Sequence, residues 1–368
     1  MLQIDFVMSK KIIPLLFIVL FTLSLFQSSA YSNLRLLPQS AAGDTLTIIG
    51  VGDIMMGSNY PDDAGLPPND GQNLFQDVSD VLRDADVTMG NLEGVLLDQG
   101  GEAKTCRNPK VCYVFRSPER YVQNLVTAGF DVMSIANNHA GDFGEMGARS
   151  TIRTIENAGL YHGGQSTRPY TTFERNGVKF GFVAFAPNGG CVNINDLETA
   201  RKMVSHLDSV CDVVIVSFHG GAEGPLYQHV PRSYELFYGE NRGNVYQLAH
   251  TVIDAGADIV FGHGPHVVRA VEVYKDRFIA YSLGNFCTYS GINVTGITGF
   301  APIVKVFTDS RGGFLQAKIT PGIQNFLVPV KIDAQKQVIK KMQELTQQDF
   351  PEAMIVIDDE GWIRKSTN

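Results

Sequence analysis

The chain has 368 residues, enough for one large or two ordinary domains, and its 44% hydrophobic and 18% charged content describes a globular protein, not a disordered one. A formal charge of -8 argues against nucleic acid as a partner, because phosphate binding needs a basic footprint. No polybasic run reads as a membrane-surface patch.

Lys10 and Lys11 precede an apolar run over 12–26, and Ser28, Ser29 and Ala30 supply small residues for cleavage. Residues 1–30 therefore read as a secretory signal peptide; the run is short for a membrane span, although an uncleaved anchor is the alternative. Residues 31–44 read as a solvated linker. Export gives the five cysteines meaning. Cys106 and Cys112 flank Asn108 and Pro109 and are expected to form a small disulfide. Cys191 and Cys211 bracket a predicted helix and offer a second pairing, which would leave Cys287 over. None has the spacing of a zinc cluster.

Residues 46–51 form a predicted strand ending on Gly52 and Asp53, followed by a Pro/Asp/Gly-rich loop over 59–71. Apolar residues at 74, 75, 78, 81 and 82 have the helical period. A strand over 87–90 delivers Asn91 and Glu93. Ser117, Pro118 and Glu119 form a helix start, with a hydroxyl cap, proline in the first turn and an acid at the positive dipole end. The apolar run 132–136 then stops at Asn137, Asn138 and His139 and passes Asp142. Helices are predicted over 147–158, 196–207 and 245–255, and strands over 178–186, 212–218, 258–261 and 278–283. The strand over 212–218 ends on His219 and Glu223, that over 258–261 on His263 and His266, and that over 278–283 on Asn285. Strands over 303–307, 314–319, 327–332 and 353–357 and a polar helix over 334–347 complete the chain. The β-α-β alternation predicts a layered α/β fold with a largely parallel sheet. The main domain spans 45–309, and 310–368 is expected to pack on it as an extension.

Open α/β sheets place ligands beyond the carboxyl ends of their strands. Five such ends carry Asp53; Glu93; Asn138 with His139; His219 with Glu223; and His263 with His266. Each has a plain structural reading alone: a turn, a helix cap or a satisfied core histidine. Their recurrence at five ends points to function. Carboxylate, amide and imidazole donors without thiolate suit one or two Mn, Fe or Zn ions, and a bridging carboxylate with several imidazoles suits a two-metal hydrolytic centre.

The ordered stretches Gly52–Met55, Asn91–Gly94, Ala136–Gly144, His219–Glu223, Gly262–His266 and Arg277–Phe286 resemble the capsule-synthesis CapA family, also called the PGA_cap family. That resemblance covers residues 46 to about 307 and implies a fold related to the calcineurin-like metallophosphoesterases, a four-layer sandwich of β-sheets flanked by helices. It implies Asp53 as first ligand, Glu93 as bridging ligand and Asn138 as amide ligand. His219 and His263 would complete one metal site and His266 the other. His139, with Asp142 beside it, would be the general acid. Glu223 has no counterpart in the phosphoesterases and is a candidate for binding substrate or orienting His219. One departure stands out: the phosphoesterases carry a histidine two positions after the first aspartate, where this chain has Met55, a poor ligand for a hard ion.

The resemblance further implies an exported protein, periplasmic, envelope-bound or extracellular, that helps make, export or trim poly-γ-glutamate or a similar anionic polymer beside membrane synthesis proteins. The alternatives are a generic secreted metallophosphoesterase and a non-catalytic, metal-dependent polymer-binding accessory. Asn137, Arg232, Arg242, Arg269 and Asn285 are the candidate substrate contacts, although an arginine in such a loop is as often in a structural ion pair. The sequence assigns no oligomeric state.

Overall fold

The strand Leu46–Met55 is buried along nearly its whole length, because it lies in the middle of a sheet covered on both faces. Its side chains alternate between two cores. Leu46 and Ile48 point into the layer between two sheets, whereas Ile49 and Val51 point toward helices on the other side. A computed structural model describes residues 45–106 and 112–366; the signal-peptide and linker expectations for 1–44 lie outside the described residues. No helix among the described residues is long and apolar enough to cross a membrane.

Two sheets form the inner layers. The first has nine strands, with Leu46–Met55 pairing in parallel to Val87–Leu92, which continues to Val132–Ser134 and Tyr161–Gly163. On its other side run Ile303–Thr308, Phe314–Thr320, Trp362–Lys365 and Ile355–Ile357, all antiparallel. The second sheet, of six strands, sets Val178–Phe185, Val213–His219, Ile259–His263 and Arg277–Ala280 in parallel, with Tyr170–Arg175 and Val271–Tyr274 as antiparallel edges. Where the two sheets meet, the Phe261 ring presses on Gly50 so closely that a Cβ there would stand 2.5 Å from it.

Helices supply the outer layers. Val122–Ala128 and Gly144–Asn157 bury Leu125, Ala128 and Ile155 against the first sheet. Leu197–Val210 and Val245–Asp254 bury Ala200, Val204, Leu207, Leu248 and Val252 against the second. Each fully buried aliphatic side chain contributes roughly 1.5–3 kcal/mol. Asp196 and Asn244 cap these two helices by accepting from Thr199 N and Gln247 N, both at 3.0 Å. The result is the four-layer α/β sandwich that the sequence implied.

Several boundaries differ from expectation for identifiable reasons. Of the helix expected over 74–82 only Ser79–Leu82 is helical; Leu74, Phe75 and Val78 reach the core from successive turns. Ser117 caps no helix, since it belongs to a short strand and its hydroxyl donates to Gly57 O at 2.6 Å. The strand expected over 278–283 breaks after Ala280, and Asn285–Thr288 crosses to the first sheet beside Leu46–Met55. Of 327–332 only Lys331–Ile332 pairs, with Gly322–Ile323. The Tyr170–Arg175 strand went unread, although its Asn176-Gly177 hairpin, both residues at positive φ, is a readable signal.

Candidate functional site

Strand register assembles the site. In the first sheet Asp53 stands opposite Asn91 on one neighbour and Asn285 on the other. In the second, His219 stands opposite His263. Asp53, Asn91, His219 and His263 lie at or near carboxyl ends of parallel strands, and Asn285 opens its strand beside them. Asp53 can occupy its place because Gly52 lets the chain pass Gly284, whose carbonyl oxygen a Cβ at Gly52 would meet at 2.1 Å.

Asp53, Glu93 and His266 each offer a ligand atom, and these atoms lie within 4.8 Å of one another. His266 Nδ1 is 3.1 Å from Asp53 Oδ2, and its Nε2 is 3.5 Å from Glu93 Oε1. His266 adopts φ 56°, left-handed backbone that costs a non-glycine residue about 1–3 kcal/mol and is held where the surroundings over-determine it. His263 Nδ1 approaches Asp53 Oδ1 at 3.4 Å, and His219 Nδ1 lies 3.4 Å from Asn91 Nδ2. Glu93 Oε2, Asn138 Oδ1, His219 Nε2 and His263 Nε2 are buried and have no hydrogen-bond partner among the described residues.

Charge in this enclosure is finely opposed. Burial works against ionisation of Asp53, yet His263 and His266 hold its carboxyl well below the usual range. Burial pushes Glu93 far up, and the charges of Asp53, Glu223 and Asp142 add to that against the pull of His266. For His266 burial favours the neutral ring, but Glu93 and Asp53 outweigh it and raise it to about 10. Burial drives His219 well down, so its imidazole is neutral and able to act as a ligand. A buried group of carboxylates with unpartnered imidazole and amide donors fits a divalent cation, whose charge would offset what the protein alone leaves unbalanced.

Beside this centre stands an acid-base pair. His139 Nδ1 lies 2.8 Å from Asp142 Oδ2, and its Nε2 lies 3.9 Å from Glu93 Oε1. Burial lowers His139, and its contact with Asp142 opposes that. Glu223 forms an ion pair with Arg242 at 3.0 Å and adds its charge at Glu93 and His266.

The five expected substrate contacts are engaged by other protein groups. Arg269 is fully buried, with its guanidinium on Glu235 at 2.7 and 2.8 Å. Arg232 pairs with Glu352 and lies over the Tyr246 and Phe350 rings. Asn137 donates to Asn91 Oδ1 and Leu92 O and accepts from His139 N, which positions the histidine. Asn285 sets Oδ1 3.1 Å from His266 Nδ1 and donates to Thr298 O, so it orients the ring. Arg242 is buried too, between Glu223 at 3.0 Å and Glu240 at 3.2 Å. Met55 is buried, and its sulfur accepts from Gly57 N at 3.3 Å.

Cys106 and Cys112 form a disulfide with Cα atoms 5.6 Å apart. Cys191 is a buried thiol, so its pairing with Cys211 does not form, and Cys287 is likewise a buried thiol. Three neighbours of the site were not among the candidate site residues. Asn91 donates to Asp53 Oδ1 at 2.9 Å, and its place opposite Asp53 was a usable signal once the strands were paired. Lys104 and Phe115, which touch His139, come from an irregular segment without periodicity.

Residues 47–290 match the model of the family described as "Bacterial capsule synthesis protein PGA_cap". The chain is 30% identical to "Capsule biosynthesis protein CapA" of Bacillus anthracis over 66% of its length and 60% of that protein's. It is 28% identical to "PGA biosynthesis protein CapA" of Bacillus subtilis, over 74% of this chain and 70% of that one. Among solved structures, the calcineurin-like phosphoesterase YfkN of Bacillus subtilis is similar at a TM-score of 0.43 and 14% identity, covering 84% of this chain and 98% of that one.

Proposed function

Because the chain belongs to the bacterial capsule synthesis PGA_cap family, we propose that it is an exported hydrolase that trims poly-γ-glutamate or a similar anionic envelope polymer beside membrane synthesis proteins. The observation that carries this reading is the convergence of Asp53, Glu93 and His266 within 4.8 Å, next to the His139–Asp142 pair. Asp53, Glu93 and His266, with Asn138, His219 and His263 around them, would hold one or two Mn, Fe or Zn ions. Such a centre supplies activated water and charge stabilisation for cleavage of a phosphoester or a γ-glutamyl amide. His139 is placed to give a proton to the leaving atom from Nε2, with Asp142 fixing the ring. Arg242, paired with Glu223 and Glu240, would tune Glu223 or turn to a substrate carboxylate.

Met55 favours a second reading. Its sulfur is engaged by Gly57 N, so the position that supplies a histidine in the phosphoesterases supplies no strong ligand here. A weaker centre suits a non-catalytic accessory that binds polymer carboxylates through its metal. Elemental mass spectrometry on the chain purified without chelator, beside His263→Ala, tests both readings. One or two ions per chain, lost in the variant, are expected; no metal in either protein rejects both. Release of γ-glutamyl peptides or phosphate by the loaded chain then separates enzyme from accessory.

A further inference from the structure

Two irregular stretches, one on each side of the Cys106–Cys112 disulfide, grip the acid-base pair. Lys104 stands two residues before Cys106, and Phe115 three residues after Cys112. The Lys104 backbone N–H donates to Asp142 O at 2.8 Å. Its ammonium lies 2.5 Å from Asp142 Oδ1, donates to Asn138 O at 3.2 Å and stands 3.3 Å from His139 Nδ1. From the other arm, Phe115 N–H donates to Asp142 Oδ2 at 2.6 Å, and the Phe115 ring covers the imidazole with centroids 4.2 Å apart.

Asp142 is fully buried. A buried carboxylate with a cation on one oxygen and a backbone N–H on the other remains an acceptor. Its histidine partner must then donate from Nδ1, which leaves Nε2 as the atom that exchanges a proton with a reacting group. Without the ammonium, one carboxylate oxygen loses its counter-charge and the ring loses the constraint on its tautomer.

We propose that Lys104 is a positioning residue for the His139–Asp142 pair, held at its post by the Cys106–Cys112 bridge. As the scissile bond breaks, the Nε2 proton of the His139 imidazolium passes to the leaving atom, and the neutral ring keeps its Nδ1–H on Asp142. The consequence for turnover rests on the hydrolytic reading above; the consequence for the imidazole does not.

The test compares Lys104→Met, Lys104→Arg and the double variant Cys106→Ser/Cys112→Ser in the full chain. Nitrogen-15 labelling of histidine reports a His139 Nδ1–H resonance, assigned by its loss in His139→Asn. Wild type and Lys104→Arg are expected to show it, and Lys104→Met and the double serine variant to lose or broaden it. In turnover, Lys104→Met should lower kcat by about tenfold or more on an alkyl phosphoester, whose leaving group needs a proton, with KM little changed. On a 4-nitrophenyl phosphoester, whose leaving group needs none, the loss should stay within about threefold. A general loss of structure would lower both alike. A Lys104→Met protein that keeps the resonance, or loses both activities equally, overturns the proposal. If Lys104→Met does not fold, the double serine variant decides by the same two readouts. A wild type that cleaves neither ester nor a γ-glutamyl peptide rejects the hydrolytic reading, and the resonance still decides the role of Lys104.

Discussion

Asn91 is the residue on which the two donor rows depend. It donates to Asp53 Oδ1, lies against His219 Nδ1 and accepts from Asn137, so one amide links candidate ligands of both sheets to the turn that carries His139. Groups that orient ligands from behind are typically worth about 10–100-fold in metal affinity. Asn91→Ala is therefore expected to weaken metal binding by that factor, as measured by calorimetric titration of the chelator-treated chain. The fold should survive, since Asn137 keeps its bond to Leu92 O. Unchanged affinity would remove Asn91 from the site. By contrast, Arg269 looks like a substrate contact from its place beside the histidines, and only its burial against Glu235 shows otherwise. A guanidinium so committed cannot turn to a ligand without leaving a buried charge unpaired.

At the scale of elements, residues beyond 309 are part of the sandwich and not an appendage. Phe314–Thr320 pairs along the whole of Ile303–Thr308, and Trp362–Lys365 and Ile355–Ile357 continue the same sheet. Phe314, Ile319, Met342 and Leu345 enter the core between and around the sheets, and Thr346 accepts from Val271 N at 3.1 Å. A chain ending at residue 309 would bare the edge of a central strand together with this apolar surface. Such a truncation is expected to be insoluble or aggregated on size-exclusion chromatography. A soluble monomer with native circular dichroism would show instead that the tail is dispensable. The segment around the disulfide makes a related point, since two short arms without regular structure deliver Lys104 and Phe115 to the same histidine.

For the whole molecule, a metal ion held by the buried carboxylates at the junction of the sheets would add stability that the polypeptide does not supply by itself. An ion that binds only the folded chain stabilises it by about 2.7 kcal/mol at a hundredfold excess over Kd. Thermal unfolding of chelator-treated chain is therefore expected to shift upward by several degrees on adding Mn or Zn, and to return on chelation. A Tm indifferent to metal and chelator would count against the centre.

Local chemistry was legible in the sequence wherever a rule of short range applies. Short apolar runs bounded by turn residues gave the strands, and the same runs showed that Asp53, Glu93, Asn138, His139, His219, His263 and His266 stand at strand ends. Periodicity misled at 74–82, where the apolar residues reach the core through turns, and at Ser117, whose hydroxyl is claimed by Gly57. The sequence by itself determined the layered α/β class, the order of the motifs and the type of donor each strand brings. Only the tertiary structure decided which donors meet. Register places Asp53 between Asn91 and Asn285 and His219 beside His263, and the contact of Phe261 on Gly50 brings the two sheets together. The physical reason is range: an element's period is written in its neighbours along the chain, whereas register, sheet packing and the reach of Lys104 to a histidine 35 positions away depend on the closed core.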